Sequence, residues 1–240
     1  MNRPVEAMCS LLQSLRDPQT EATMIDFREA RERMVVRQIA GRGVRDSNVL
    51  SAMRHVPREE FVPAQLREFA YDDGALPIAN QQAISQPAIV AQMMEAAELG
   101  PRDRILDVGT GSGYAAAIAA AIVAHVHSIE RDPVLADAAR ETLTRLGIFN
   151  VTVHLGDGTV GLSDYAPYDA IIAGAGGPRI PQAWRSQLSI GGRIVMPVGR
   201  ERHHQQLIKL VRHGEQDYHE CWLGDVSFVP LIGEDGWADY

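Results

Sequence analysis

Short apolar runs alternate with amphipathic segments from residue 104 onward, and this alternation predicts the architecture of the chain. Apolar runs that end in glycine or an acid are typical of buried strands, whereas apolar positions three or four apart are typical of helices. The predicted strands are 104–108, 125–130, 151–155, 170–173 and 193–198, with helices at 114–124 and 134–146 and later strands at 206–211 and 218–229. Repeated strand–helix units with short connections predict an α/β fold with a doubly wound, mostly parallel sheet and an antiparallel edge.

The first hundred residues are more polar and carry helical spacing. The elements predicted there are a helix at 26–40, a helix at 47–55 with Ser47 as its N-cap, a loop at 75–86, and a helix at 88–99 that Pro87 opens. We therefore expect an N-terminal extension, 1–24, and a single domain, 25–240, made of a helical part, 25–100, and a sheet, 101–240.

The composition and the net charge argue against several classes of binding partner. The chain of 240 residues has a net charge of −8, which argues against a nucleic-acid partner because binding of phosphates needs clustered cations. Cys9 and Cys221 are the only cysteines, without metal-ligand spacing, so we expect no metal and a reducing, cytoplasmic location. No signal peptide is evident, and no window approaches the ~18 consecutive apolar residues of a membrane span, so we expect no membrane partner.

The glycine-rich segment between the first predicted strand and its helix indicates a cofactor. Glycines there let the backbone turn tightly and approach a ligand closely. A dinucleotide fingerprint would place its third glycine at Tyr114, whereas this chain has Gly109, Gly111 and Gly113. An acid, Asp107, stands just before the loop, where it would repel a pyrophosphate but suit a cation. S-adenosylmethionine carries a sulfonium, an ammonium and no phosphate, so the pattern favours this methyl donor.

Two further acids stand at the predicted strand ends. Glu130 ends the second strand about 20 residues after the glycine loop, the usual position of an acid that binds both ribose hydroxyls. Asp157 follows the third strand between Gly156 and Gly158, where its carboxylate could accept a hydrogen bond from an adenine amino group. Each feature alone is more often structural. Together, at consecutive strand ends, they favour a nucleoside-type cofactor.

The segment after the fourth strand indicates what is not methylated. Methyltransferases that act on amide or base nitrogens commonly have Asn/Asp-Pro-Pro-Tyr here. This chain instead has small residues at 174–178, which leave space and exposed backbone for an extended peptide.

Several motifs resemble the protein-L-isoaspartate O-methyltransferase family, in order, from about residue 34 to residue 237. The matching segments are 56–63, 70–73, 76–78, 84–87, 106–114, 128–131, 156–158, 191–199 and 228–231. The glycine loop is shared by many methyltransferases, whereas the stretch from Val56 to Pro87 is specific to this family.

The resemblance implies a Rossmann-like class I methyltransferase sheet, S-adenosylmethionine as cofactor, and isoaspartyl-containing proteins and peptides as substrates. The family methylates the free α-carboxylate of an isoaspartyl residue, and the ester closes to a succinimide that can reopen to a normal aspartyl bond. A carboxylate with a reference pKa near ~4 is ionised at neutral pH, so no strong base is needed. We expect a monomer.

The resemblance also implies the site residues. Ser85 is the expected catalytic residue, donating to the substrate carboxylate or positioning the methyl donor, although it could simply cap the helix that Pro87 opens. The expected cofactor-binding residues are Ile84, Ser85, Asp107, Gly109, Thr110, Gly111, Gly113, Glu130, Arg131, Asp157 and Gly158.

The loop before Ser85 departs from the family pattern. The family usually reads Pro-Ile-Gly-x-Gly-Gln-Thr-Ile-Ser, whereas this chain has Ala79, Gln81 and Ala83 where the family has two glycines and a threonine. Three hypotheses follow: isoaspartyl repair, methylation of an aspartyl residue in one dedicated peptide, and a non-catalytic cofactor-binding adaptor.

Overall fold

The computed structural model of the protein describes residues 25–202 and 204–238. The predicted extension, 1–24, lies outside the described residues. The strands are β1 (Leu76–Pro77), β2 (Ala83–Ile84), β3 (Arg104–Val108), β4 (His125–Glu130), β5 (Val151–Leu155), β6 (Tyr168–Ala173), β7 (Leu188–Glu201), β8 (His204–Arg212) and β9 (Tyr218–Val226). The helices are α1 (Phe27–Met34), α2 (Ser47–His55), α3 (Pro87–Ala96), α4 (Tyr114–Ala120), α5 (Pro133–Arg145) and α6 (Gln182–Gln187).

Seven strands form one sheet in the order β5-β4-β3-β6-β7-β8-β9. Strands β3 to β7 run parallel, and β8 and β9 complete an antiparallel edge. The predicted doubly wound sheet is therefore confirmed. From β3 the chain passes to β4 on one side and later returns to β6 on the other. The carboxyl ends of β3 and β6 thus flank the crevice in which open α/β sheets bind their ligands.

The sheet separates two apolar clusters, because successive side chains of a strand point to opposite faces. Ile105 and Val126 belong to the larger cluster, which the first five helices cover. Leu106 and Ile129 belong to the smaller cluster on the other face, together with the fully buried Trp184 of α6. The indole N–H of Trp184 donates to the carbonyl of Gly158 at 2.9 Å, so this helix also fixes the chain that follows β5.

Several predicted helix boundaries were wrong. The helix predicted at 26–40 is α-helical only to Met34; a π-helical turn, Val35–Ile39, and a 3₁₀ turn then lead to Gly43, whose φ is +105°. The helices predicted at 88–99 and 114–124 end at Ala96 and Ala120, and strand 218–229 ends at Val226. Helix α6 and the small β1–β2 hairpin had not been predicted.

The N-cap of α2 is Asp46, and the prediction of Ser47 was wrong. One oxygen of the Asp46 carboxylate accepts from the backbone N–H groups of Asn48 and Val49, both at 2.9 Å. Both residues are favoured N-caps, but the carboxylate also interacts favourably with the helix dipole. Glu95 of α3 accepts from the N–H of Asp46 at 2.7 Å and so docks this helix start onto α3.

No helix in the described ranges is long and apolar enough to cross a bilayer.

A cluster of histidines covers the β4–β5 edge of the sheet. Nδ1 of His127 lies 3.2 Å from Nε2 of His154, and the His125 ring centroid lies 4.6 Å from that of His127. Tyr165 stacks on His127 with 4.3 Å between centroids. Burial, the neighbouring histidines and the Arg104 charge lower the pKa of His127 to about 4, and burial also lowers the pKa values of His125 and His154.

These depressed pKa values predict acid destabilisation. Because folded His127 binds a proton less readily than the unfolded chain, its contribution is complete above pH 6.5 and is lost as the pH falls towards about 4. Replacing His127 with Phe keeps the ring packing and removes the titration. The His127→Phe variant should therefore lose less unfolding free energy than the wild type between pH 7 and pH 4, by about 1–2 kcal/mol once solvent screening is included. Urea unfolding at both pH values measures this difference, with exposed His204→Gln as the control. An unchanged pH dependence in His127→Phe would contradict the assignment.

Candidate functional site

A cavity of about 350 Å³, here called the strand-tip cavity, opens at the carboxyl ends of β3, β4 and β6. Its walls include five of the expected cofactor-binding residues: Gly109, Gly111, Glu130, Arg131 and Gly158. It occupies the point where the chain order of the sheet reverses.

The glycine bend forms one wall of this cavity. Gly109 and Gly111 have φ values of +85° and +53°, a region that residues with a Cβ rarely adopt. The N–H of Gly109 donates to the carbonyl of Ile129 at 2.9 Å, which holds the bend against β4. Gly113, the N-cap residue of α4, shares this left-handed backbone with a φ of +87°.

The Glu130 carboxylate joins the bend to the next helix. Its Oε2 accepts from the N–H of Gly111 at 2.9 Å, and its Oε1 accepts from the N–H of Asp132 at 3.0 Å. The side chain is only 7% exposed. Each carboxylate oxygen has a second lone pair, so Glu130 can hold the bend and still accept from a ligand hydroxyl.

Asp107 supports the bend from behind and does not line the strand-tip cavity. Its carboxylate is 2% exposed and accepts from the hydroxyl of Ser128 at 2.6 Å, and that hydroxyl lies 2.5 Å from the hydroxyl of Thr110. Burial is the main cause that raises the pKa of Asp107 to about 7. Sequence reasoning assigned no role to Ser128. The pairing of β3 with β4, which places Ser128 beside Asp107, was the signal that could have found it.

The Asp157 carboxylate accepts hydrogen bonds from other residues of the protein. One oxygen accepts from the N–H and the hydroxyl of Thr159 at 2.8 and 2.7 Å, and the other accepts from the N–H of Glu234 at 2.7 Å. Its neighbour Gly158 lines the strand-tip cavity, whereas Asp157 itself does not. Asp157 thus ties the C-terminal segment, which supplies Leu231 to the cavity wall, to the end of β5.

The loop 78–83, which departs from the family pattern and is here called the lid, lines the strand-tip cavity with Gln82 and Ala83. Asn80 and Gln81 have φ values of 55° and 60°, although neither is glycine. Left-handed backbone costs about 1–2 kcal/mol for a residue with a Cβ, so Gln81 is strained where the family pattern has glycine. The amide of Asn80 donates to the Asp132 carboxylate at 2.6 Å and holds the lid to the start of α5.

A second cavity of about 400 Å³, here called the Ser85 cavity, adjoins the first. Ala83, Gly174 and Val229 line both, so the two spaces meet at these residues. Gly174 belongs to the small-residue segment after β6 that the sequence predicted would leave room. Ile84, by contrast, is buried in the larger apolar cluster and lines neither cavity.

The Ser85 hydroxyl has no hydrogen-bond partner among the described residues. The residue at the N-cap of α3 is Gln86, and no side chain caps that helix. The interpretation of Ser85 as a helix cap was therefore wrong, and its hydroxyl remains available to a ligand in the Ser85 cavity.

Comparisons with known proteins identify the family of the chain. The protein-L-isoaspartate(D-aspartate) O-methyltransferase family model matches residues 29–236. The chain is 52% identical, over 223 residues, to protein-L-isoaspartate O-methyltransferase 1 of Rhodopseudomonas palustris (strain HaA2), covering 93% of this chain and 91% of that protein.

Solved structures show the same fold. One protein-L-isoaspartate O-methyltransferase superposes with a TM-score of 0.77 at 28% identity, covering 86% of this chain and 67% of that one. A Plasmodium falciparum structure in complex with S-adenosyl-L-homocysteine gives a TM-score of 0.72 at 24% identity, covering 86% of this chain and 98% of that one. With the family model matching most of the chain, this protein belongs to the protein-L-isoaspartate(D-aspartate) O-methyltransferase family.

Proposed function

We propose that this protein transfers a methyl group from S-adenosylmethionine to the free α-carboxylate of L-isoaspartyl residues in damaged proteins and peptides, the first step of their repair through a succinimide. The observation that supports this most directly is the junction of the two cavities at Ala83, Gly174 and Val229. One cavity has the walls of a nucleoside site, and the other presents a free serine hydroxyl to a second reactant.

The residues around the strand-tip cavity fit S-adenosylmethionine. Gly109, Gly111 and Gly158 offer backbone without side chains, and Glu130 offers carboxylate oxygens for ribose hydroxyls. Arg131 completes this wall, while Ile84, Asp107, Thr110, Gly113 and Asp157 act by holding the wall in place. When bound, S-adenosylmethionine supplies a methyl group on a positively charged sulfur, which a carboxylate oxygen can attack.

The protein's own contribution is positioning and exclusion of water. The substrate carboxylate is already ionised at neutral pH, so no side chain has to remove a proton. The lid at 78–83 lines the strand-tip cavity, and the Ser85 hydroxyl donates to the carboxylate or helps to position the methyl donor. Holding two reactants in an aligned geometry can lower a barrier by about 7–11 kcal/mol.

The altered lid supports one alternative substrate. Gln81 stiffens the lid in a strained conformation, and Ala83, which lines both cavities, lacks the hydroxyl of the family pattern. These changes suit a protein specialised for an aspartyl residue of one dedicated peptide.

We also propose that the protein acts in the cytoplasm as a monomer. The net charge of −8 and the scarcity of cysteines support this setting and give no support for a nucleic-acid partner.

Methyl transfer to three peptides of otherwise identical sequence tests the proposal. The peptides carry an isoaspartyl residue, an aspartyl residue or no acid at the same position, and the methyl donor carries the label. We expect base-labile label on the isoaspartyl peptide alone. Label on the aspartyl peptide would support the dedicated target instead. No label on any peptide, with cofactor binding intact, would support the adaptor hypothesis and overturn catalysis.

Replacing Ser85 with Ala tests the assigned catalytic residue. A hydrogen bond to a charged group is worth about 1.5–3 kcal/mol, so we expect kcat to fall by about tenfold or more. Affinity for S-adenosyl-L-homocysteine, measured by calorimetry, should remain largely intact. Ser227→Ala removes another hydroxyl from the same cavity and is the matched control, with turnover close to the wild type. Full turnover in Ser85→Ala would exclude a role in the reaction.

A further inference from the structure

Arg58 lies behind the Ser85 cavity and contacts the backbone of Ser85. Its side chain is fully buried in the turn Arg58–Phe61. Its Nη2 donates to the backbone carbonyl of Ser85 and its Nε to that of Ala70, both at 2.8 Å. The guanidinium also lies over the Tyr114 ring, 4.8 Å from the centroid. One arginine therefore joins the helical part of the chain, Ser85 and the first helix after the glycine bend.

The charge of this arginine is not neutralised by an acid. Within the described ranges no carboxylate forms an ion pair with Arg58, and its Nη1 is buried without a hydrogen-bond partner. The nearby Arg31 shows the usual arrangement, because its Nη2 lies 2.9 Å from the carboxylate of Glu59. Burying a charge without a counter-ion costs free energy of folding. A purely structural role therefore does not explain why a charged residue occupies position 58.

The Ser85 cavity needs a positive charge if it is to admit a carboxylate. Among the described residues that line it, Asp225 alone is charged, and it is negative. The adjoining strand-tip cavity adds two acids, Glu130 and Asp132, and one base, Arg131, so acids outnumber bases among the described residues that line the two cavities. These acids repel an anion, whereas a positive charge buried in low-dielectric surroundings keeps much of its attraction over several ångströms.

We propose that Arg58 is the residue that makes the Ser85 cavity selective for an anionic carboxylate, with the carboxylate of an isoaspartyl substrate completing the charge pair that the folded protein leaves open. Arg58 touches Ser85 rather than the cavity itself, so it is a positioning residue that acts through its charge and through the Ser85 backbone. This inference rests on the proposed function and adds the origin of its substrate selectivity.

A comparison of two peptides tests the charge directly. One carries the isoaspartyl residue, and the other has its free α-carboxylate replaced by a carboxamide of nearly the same shape. Calorimetry in the presence of S-adenosyl-L-homocysteine gives both dissociation constants, and their ratio is the carboxylate selectivity. Arg58→Gln removes the charge and keeps an N–H donor, so the selectivity should fall by at least about tenfold. Arg58→Lys keeps the charge and should retain the selectivity to within about threefold.

The controls separate three outcomes. Arg193→Met removes an arginine that pairs with Asp103 and with backbone carbonyls away from both cavities, and it should leave the selectivity unchanged. Wild-type protein without selectivity would contradict the proposed function itself. Wild-type selectivity that persists in Arg58→Gln would overturn the role of Arg58 alone. If Arg58→Gln does not fold, Arg58→Lys decides, since a lost selectivity there would show that geometry and not charge is responsible.

Discussion

The Glu130 carboxylate holds the site together, because its two oxygens bind backbone from two different segments. One accepts from Gly111 in the bend after β3, and the other from Asp132 at the start of α5. Asp132 in turn caps α5 and accepts from Asn80 of the lid. The bend, the helix and the lid are therefore positioned through one short chain of hydrogen bonds. Loss of the acceptor would leave partly buried N–H groups unpaired, each at about 1–3 kcal/mol.

The acids predicted to contact the cofactor divide into two groups in the folded protein. Glu130 faces the strand-tip cavity, whereas Asp107 and Asp157 bind Ser128, Thr159 and backbone outside it. All three fix loops at the strand tips, and this common task explains why acids occur at each of them. Part of the cavity wall is glycine, at Gly109, Gly111 and Gly158, so the shape of that part depends on the side chains behind it.

The sequence predicted the sheet and the glycine bend between β3 and α4, because short apolar runs and closely spaced glycines are local signals. It did not predict features that depend on contacts between distant segments. Asp46 rather than Ser47 caps α2, where Glu95 of another helix docks on the cap. Ser128 supports Asp107 only because β3 and β4 pair in this register. The hydrogen bond from the N–H of Glu234 to the Asp157 carboxylate likewise joins residues that are distant in sequence, and no local sequence pattern predicts it.

Titration of S-adenosyl-L-homocysteine into Glu130→Gln protein tests most directly whether the Glu130 carboxylate holds the nucleoside site in place. Glutamine keeps the size of the side chain but turns one oxygen into a donor that faces an N–H group. We expect an affinity at least about tenfold weaker than that of the wild type, with the sheet still folded by circular dichroism. An unchanged affinity would show that the Glu130 carboxylate is not what holds the nucleoside site in place.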